Sequence, residues 1–193
     1  MFNIKKLLAR ALMALSLVGG AAVAGPTYHV DVDTTTLAGK SGYLDFLIVG
    51  QGDTATTTAK LSHFTGDFSG AVYTDNTTGS TAGATVGSTG SWNEFALWAN
   101  FGGQFSFDVS FDQIADNIAG ALFQVALLDG GFLYLDPLTA DIAQFDVSPG
   151  QPIGLAGSDL ATISVAADVP EPADAMLMLT GLGLLGFTLR RRA

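Results

Sequence analysis

Phe105-Ser106-Phe107-Asp108-Val109-Ser110-Phe111-Asp112 decides the fold class of this 193-residue chain. Apolar and polar side chains alternate through the whole stretch, the period of a strand that has one face in a core and the other in water. A helix would spread the same apolar residues around its axis and leave no continuous face to bury. Upstream, Tyr28, Val30 and Val32 alternate with His29, Asp31 and Asp33 in the same way. Further strands are expected at 42–49, 92–101, 121–128, 132–135 and 161–166. Asp129-Gly130-Gly131 between two of them reads as a short hairpin loop, because glycine tolerates the positive φ such turns need. Residues 112–119 suit one short helix, and the Thr/Gly-rich runs 54–59 and 74–90 read as loops. The expectation is all-β: a single antiparallel β-sandwich or jelly-roll-like domain over residues 25–169.

The two ends of the chain are of a different kind. Residues 1–24 hold Lys5, Lys6 and Arg10 and no acid, then an apolar run, then Ala22-Val23-Ala24 before Gly25. That is the pattern of a secretory signal peptide, with the small residues Ala22 and Ala24 placed for signal peptidase to cut before Gly25. At the other end, residues 175–189 carry no charge and run directly into Arg190, Arg191 and Arg192. As a helix this stretch is about 22 Å long, and flanking residues with arginine snorkelling extend it toward the roughly 30 Å of a bilayer core. Terminal arginines also fit the cytoplasmic side of a single transmembrane helix. Ahead of it, Val169-Pro170-Glu171-Pro172 cannot be helical and stays extended.

Charge divides the same way. The chain has 18 acidic and 8 basic residues, a net −10, yet residues 25–169 hold only Lys40 and Lys60 against sixteen acids, a net −14. Such an acidic body repels phosphate, which excludes a nucleic-acid binder, and the absence of cysteine excludes a disulfide-stapled scaffold and the usual zinc sites.

Val-Pro-Glu-Pro, an apolar helix containing Gly181-Leu182-Gly183-Leu184-Leu185-Gly186, and a terminal Arg190-Arg191-Arg192 resemble, in this order, a PEP-CTERM sorting signal over residues 170–193. The resemblance implies recognition by an exosortase, a membrane-embedded cysteine protease or transpeptidase of Gram-negative bacteria. Carried over by position, Pro170, Glu171 and Pro172 are the recognition residues, the helix is a transient membrane handle, and the arginines are the stop. It also implies export through an inner-membrane intermediate to the cell surface or medium, in the setting of an exopolysaccharide or biofilm matrix. Where many members have a hydroxyl residue, this chain has Ala173-Asp174. Thr27-Tyr28-His29-Val30-Asp31-Val32-Asp33-Thr34 with Gly42-Tyr43-Leu44-Asp45-Phe46 is similar to the start of a small subgroup of PEP-CTERM proteins that has no assigned activity.

Chemistry in the body is sparse. Gly181-x-Gly183-x-x-Gly186 lies inside the terminal apolar run with no βαβ unit around it, and Gly39-Lys40-Ser41 lacks the first glycine of a phosphate loop, so neither binds a nucleotide. No Gly-x-Ser-x-Gly elbow is present, and His29 and His63 have no paired spacing, so no catalytic constellation can be named and the body reads as non-enzymatic. Asp31 and Asp33 project from one strand face with His29; hard aspartate oxygens would take calcium, and a solvated strand face is the alternative. Glu94 stands between Trp92 and Phe95, and Trp92 and Trp98 fall on one strand face. If that face is wet, the two indoles with Glu94 form a stacking platform for a glycan; if dry, they are core. Three readings follow: a structural component of the matrix, a carbohydrate-binding module of that matrix with calcium in support, and a glycan hydrolase.

Overall fold

The computed structural model describes residues 25–50, 57–88, 92–112, 120–135, 140–166 and residue 181. The signal peptide with Ala22 and Ala24, the short helix expected over 112–119, most of the 54–59 loop, and the sorting segment with Val169, Pro170, Glu171, Pro172 and Arg190 to Arg192 lie outside the described residues. Among those described, no helix is long and apolar enough to cross a membrane.

In chain order the strands are β1 (Thr27–Asp33), β2 (Ser41–Gly50), β3 (Thr58–Thr65), β4 (Phe68–Asp75), β5 (Thr78–Ser80), β6 (Gly83–Gly87), β7 (Asn93–Asn100), β8 (Gln104–Phe111), β9 (Ala121–Leu128), β10 (Asp141–Val147), β11 (Gly154–Gly157) and β12 (Ala161–Val165). They form two six-stranded sheets. Sheet A has the order β12-β1-β8-β3-β6-β5 and sheet B the order β11-β10-β9-β2-β7-β4. The paired strands run antiparallel throughout.

The alternation that predicts β8 is the burial observed: Phe105, Phe107, Val109 and Phe111 are buried, while Ser106, Asp108 and Ser110 are not. Opposite them, β2 and β9 turn Leu44, Phe46, Ile48, Phe123 and Val125 inward. Rings carry the contact between the sheets. Phe46 meets Phe107 edge to face at 4.9 Å, and Phe111, Phe123 and Phe145 pack within 6 Å of one another. Such pairs add to the area term that dominates burial of these large side chains. Gly42 has a separate duty: a Cβ there would lie 2.0 Å from the Leu128 carbonyl oxygen, so only glycine lets β2 and the end of β9 approach.

Two expectations are corrected. Residues 74–90 are not one loose loop, since β5 and β6 pair there; their Thr, Gly and Ser side chains conceal strands at a sheet edge. Residues 132–135 are not a strand but a folded-back loop with one bridge, Leu128 to Tyr134. Asp129 causes this, because its Oδ1 accepts the Gly131 N–H at 2.8 Å and the Leu133 N–H at 3.0 Å and curls the chain. Strands β3, β4, β10 and β11 complete the sheets without having been expected.

Candidate functional site

The outer face of sheet B carries the chemistry. Since β2, β7 and β9 turn Phe46, Phe95 and Val125 inward, Asp45, Glu94 and Gln124 face outward. Asp45 lies in register between Ala96 on β7 and Ala126 on β9. Two methyl-sized neighbours leave a recess above the central strand, and the carboxyl forms its floor. Glu94 is diagonal to it, one strand over, and Asp141 stands beside Ala126 at the start of β10.

The 129–135 loop builds the wall. It places Phe132 and Tyr134 over the recess, with Phe132 held at φ 61, a conformation side chains rarely adopt. Tyr43 stacks on Phe132 at 4.7 Å and Tyr73 leans on it at 4.8 Å, so the strained backbone is held by packing as well as by Asp129. Strain of this sort concentrates at ligand-holding segments. The result is a cavity of about 400 Å³ lined by carboxyls from three strands and by Tyr73, Trp92, Phe132 and Tyr134. Every strongly exposed aromatic among the described residues is one of these four. A larger cavity of about 530 Å³ lies between Pro26, Tyr28, Phe111 and Ile153. It has neither a carboxyl cluster nor an exposed ring, so chemistry favours the smaller one.

The three carboxyls differ. Trp92 donates its Nε1–H to Glu94 Oε2 at 2.7 Å. Gln144 donates to Asp141 Oδ2 at 2.7 Å, and Gln124 donates to the same oxygen. Asp45, only 5% exposed, has an Oδ1 with no hydrogen-bond partner. Burial first, then the charge of Glu94 and a hydrogen bond shared with it, push the Asp45 carboxyl up to about 8; the Phe46 backbone N–H opposes the rise, and Asp141 adds a little. At neutral pH Asp45 is therefore a protonated donor beside two acceptors. Burial, followed by the nearby carboxylates, also raises Tyr73 and Tyr134, which remain phenols.

Of the residues singled out in the sequence, Trp92 and Glu94 line this cavity. Trp98 shares their sheet face but is half-buried, set edge to face against Tyr43 at 4.9 Å and close beneath Gly130. It supports the wall and offers no stacking surface of its own. Asp45, Asp141, Tyr73, Phe132 and Tyr134 went unremarked as site residues. The signal that could have found Asp45 is a single acid inside Tyr43-Leu44-Asp45-Phe46-Leu47-Ile48, an otherwise apolar central strand.

Asp31 and Asp33 part company. Asp31 lies 3.3 Å from His29 Nε2, whereas Asp33 Oδ1 accepts the Thr35 backbone N–H at 2.9 Å. Among the described residues no group of three His, Cys, Asp or Glu side chains could hold a metal ion. Both histidines converge instead on Asp108: His29 Nδ1 is 2.6 Å from Oδ1, and His63 Nδ1 is 2.8 Å from Oδ2. Sequence spacing hides this, because the contact joins β1, β8 and an irregularity in β3 where His63 takes φ 53.

Fold and site together define an acidic β-sandwich with a carboxyl-floored aromatic cavity on one outer face. Residues 168–192 match the family model described as the PEP-CTERM protein-sorting motif. The chain thus carries a PEP-CTERM sorting motif, which indicates a secreted protein processed by an exosortase. No curated protein and no solved structure matches the chain.

Proposed function

We propose that residues 25–169 are a non-enzymatic carbohydrate-binding module of the exopolysaccharide or biofilm matrix of a Gram-negative cell. Delivery runs through signal peptidase and then through an inner-membrane intermediate held by residues 175–189, from which exosortase takes the protein to the surface or medium. One observation carries the reading: the four strongly exposed aromatics among the described residues surround a single cavity with acceptors and a donor on its floor. Ring faces stack on the apolar faces of sugars, and carboxyls satisfy the hydroxyl edges, the mixture that small-ligand sites commonly show. The cavity volume falls within the range of roughly 300–1,000 Å³ usual for such sites.

Affinity electrophoresis of the protein through gels cast with the producing cell's own exopolysaccharide tests this. Wild type should be retarded and the Trp92→Ala variant should lose at least about tenfold in affinity, corresponding to about 1.4 kcal/mol or more. Equal mobility with and without polysaccharide would overturn the binding role.

A further inference from the structure

We infer that the sheet-B cavity selects a saccharide carrying an ammonium group, so that the free amine of a de-N-acetylated amino-sugar polymer sits above Asp45 inside the aromatic wall. The inference rests on the carbohydrate-binding reading and names the substrate class of the same site. Its first support is the floor. Asp45 Oδ1 is a buried acceptor with no donor, and Glu94 and Asp141 retain accepting capacity beyond the bonds made by Trp92, Gln124 and Gln144. An ammonium brings three N–H donors, enough to serve all three carboxyls at once.

The second support is charge. Among the described residues no lysine, arginine or histidine lines the cavity, and His29, His63 and Lys60 belong to sheet A. A uronic acid would set its carboxylate against Glu94 and Asp141 with no cationic side chain among the described lining residues to answer it. A neutral sugar could satisfy Asp45 with one hydroxyl and would leave the surplus of carboxyls unanswered.

The wall is the third support. Trp92, Tyr73, Phe132 and Tyr134 present ring surface around an acidic floor, the arrangement that attracts cations through the negative faces of the rings. With the cavity empty, a proton on Asp45 does part of the same work. A charged amine replaces that proton, so binding an already protonated sugar amine must release it.

Isothermal titration of the detergent-solubilised full chain at pH 6, where the sugar amine is charged, tests this with three tetrasaccharides: glucosamine, N-acetylglucosamine and cellotetraose. The glucosamine oligomer should bind at least tenfold more tightly than either neutral one. Repeating the titration in buffers of different ionisation enthalpy should show about one proton released per site. Asp45→Asn should remove at least tenfold of the preference for the glucosamine oligomer over the neutral ones, and its melting temperature confirms that it folds. Equal affinity for all three oligomers, or a preference for the acetylated one, overturns the ammonium and leaves the carbohydrate reading standing. A preference that survives Asp45→Asn unchanged overturns the assignment to this floor. Binding of none of the three, together with no retardation in the polysaccharide gel, removes both readings.

Discussion

Asp45→Asn should make the protein more stable as the pH rises. The carboxyl moves from 3.8 to about 8 on folding, chiefly because burial disfavours its charge. Between those values the folded chain holds a proton that the unfolded chain has released, so stability falls as pH increases through this window. The penalty is absent below about pH 4 and complete above about pH 8. At 1.36 kcal/mol per pH unit it amounts to roughly 6 kcal/mol, a large share of the 5–15 kcal/mol typical of a whole domain. Asparagine has nearly the same shape and no charge to desolvate, so the variant escapes the penalty. Thermal melts followed by tryptophan fluorescence from pH 4 to pH 9 read it directly. Near pH 8.5 the variant should melt about 10 °C above wild type, taking roughly 3 °C per kcal/mol and some relief from water entering the cavity. Near pH 4 the two should melt together. A constant offset between the two curves over the whole range would refute the reasoning, because it would show that Asp45 does not change its protonation between pH 4 and 9.

On the opposite sheet the sign reverses. The hydrogen bond that His29 donates to Asp108 is the first cause that raises His29 above 6.5, with burial opposing it; stability from the pair is full below about pH 6.5 and is lost as pH climbs through the raised value. Asp108→Asn should bring the His29 midpoint back toward 6.5 in an NMR titration, and an unmoved midpoint would contradict the assignment. Phe107→Ala empties the centre of the interface between the sheets, where the side chain is fully buried against Phe46. Its expected cost is about 3–5 kcal/mol in urea unfolding, and a loss under 1 kcal/mol would show that the two sheets do not meet there. Replacing Pro170, Glu171 and Pro172 with alanine should hold the protein in the membrane fraction, whereas undiminished release to the medium would deny exosortase dependence.

How much was legible depends on whether the deciding contacts lie within one strand or across several. Alternation within a strand shows its buried face, so β1, β2, β7, β8, β9 and β12 could be read from residues such as Phe105, Phe107 and Val109. Strands β4 and β5 sit at sheet edges with most side chains exposed, and alternation cannot mark a strand with little to bury. Gly79 shows the difficulty. It looks like a loop residue, yet a Cβ there would meet Ala84 at 2.4 Å and Phe95 at 2.6 Å; it is glycine because the edge packs tightly. Trp92 and Glu94 were visible as a pair because two residues along one strand return to the same face. Asp45, Gln124 and Asp141 join them only through register, and Phe132 and Tyr134 only because Asp129 curls a segment whose Phe-Leu-Tyr-Leu pattern imitates a strand.

The two outer faces of the sandwich have separate chemistry, and this bears on how the sorted protein would work. On sheet A, His29 lies against Asp31 and Asp108, and Lys60 pairs with Asp112. Sheet B concentrates the rings and the unanswered acceptor of Asp45. The described body ends on sheet A, where β12 pairs with β1 and the Ala166 N–H bonds the Thr27 carbonyl at 2.8 Å. The sorting motif begins two residues later, at 168.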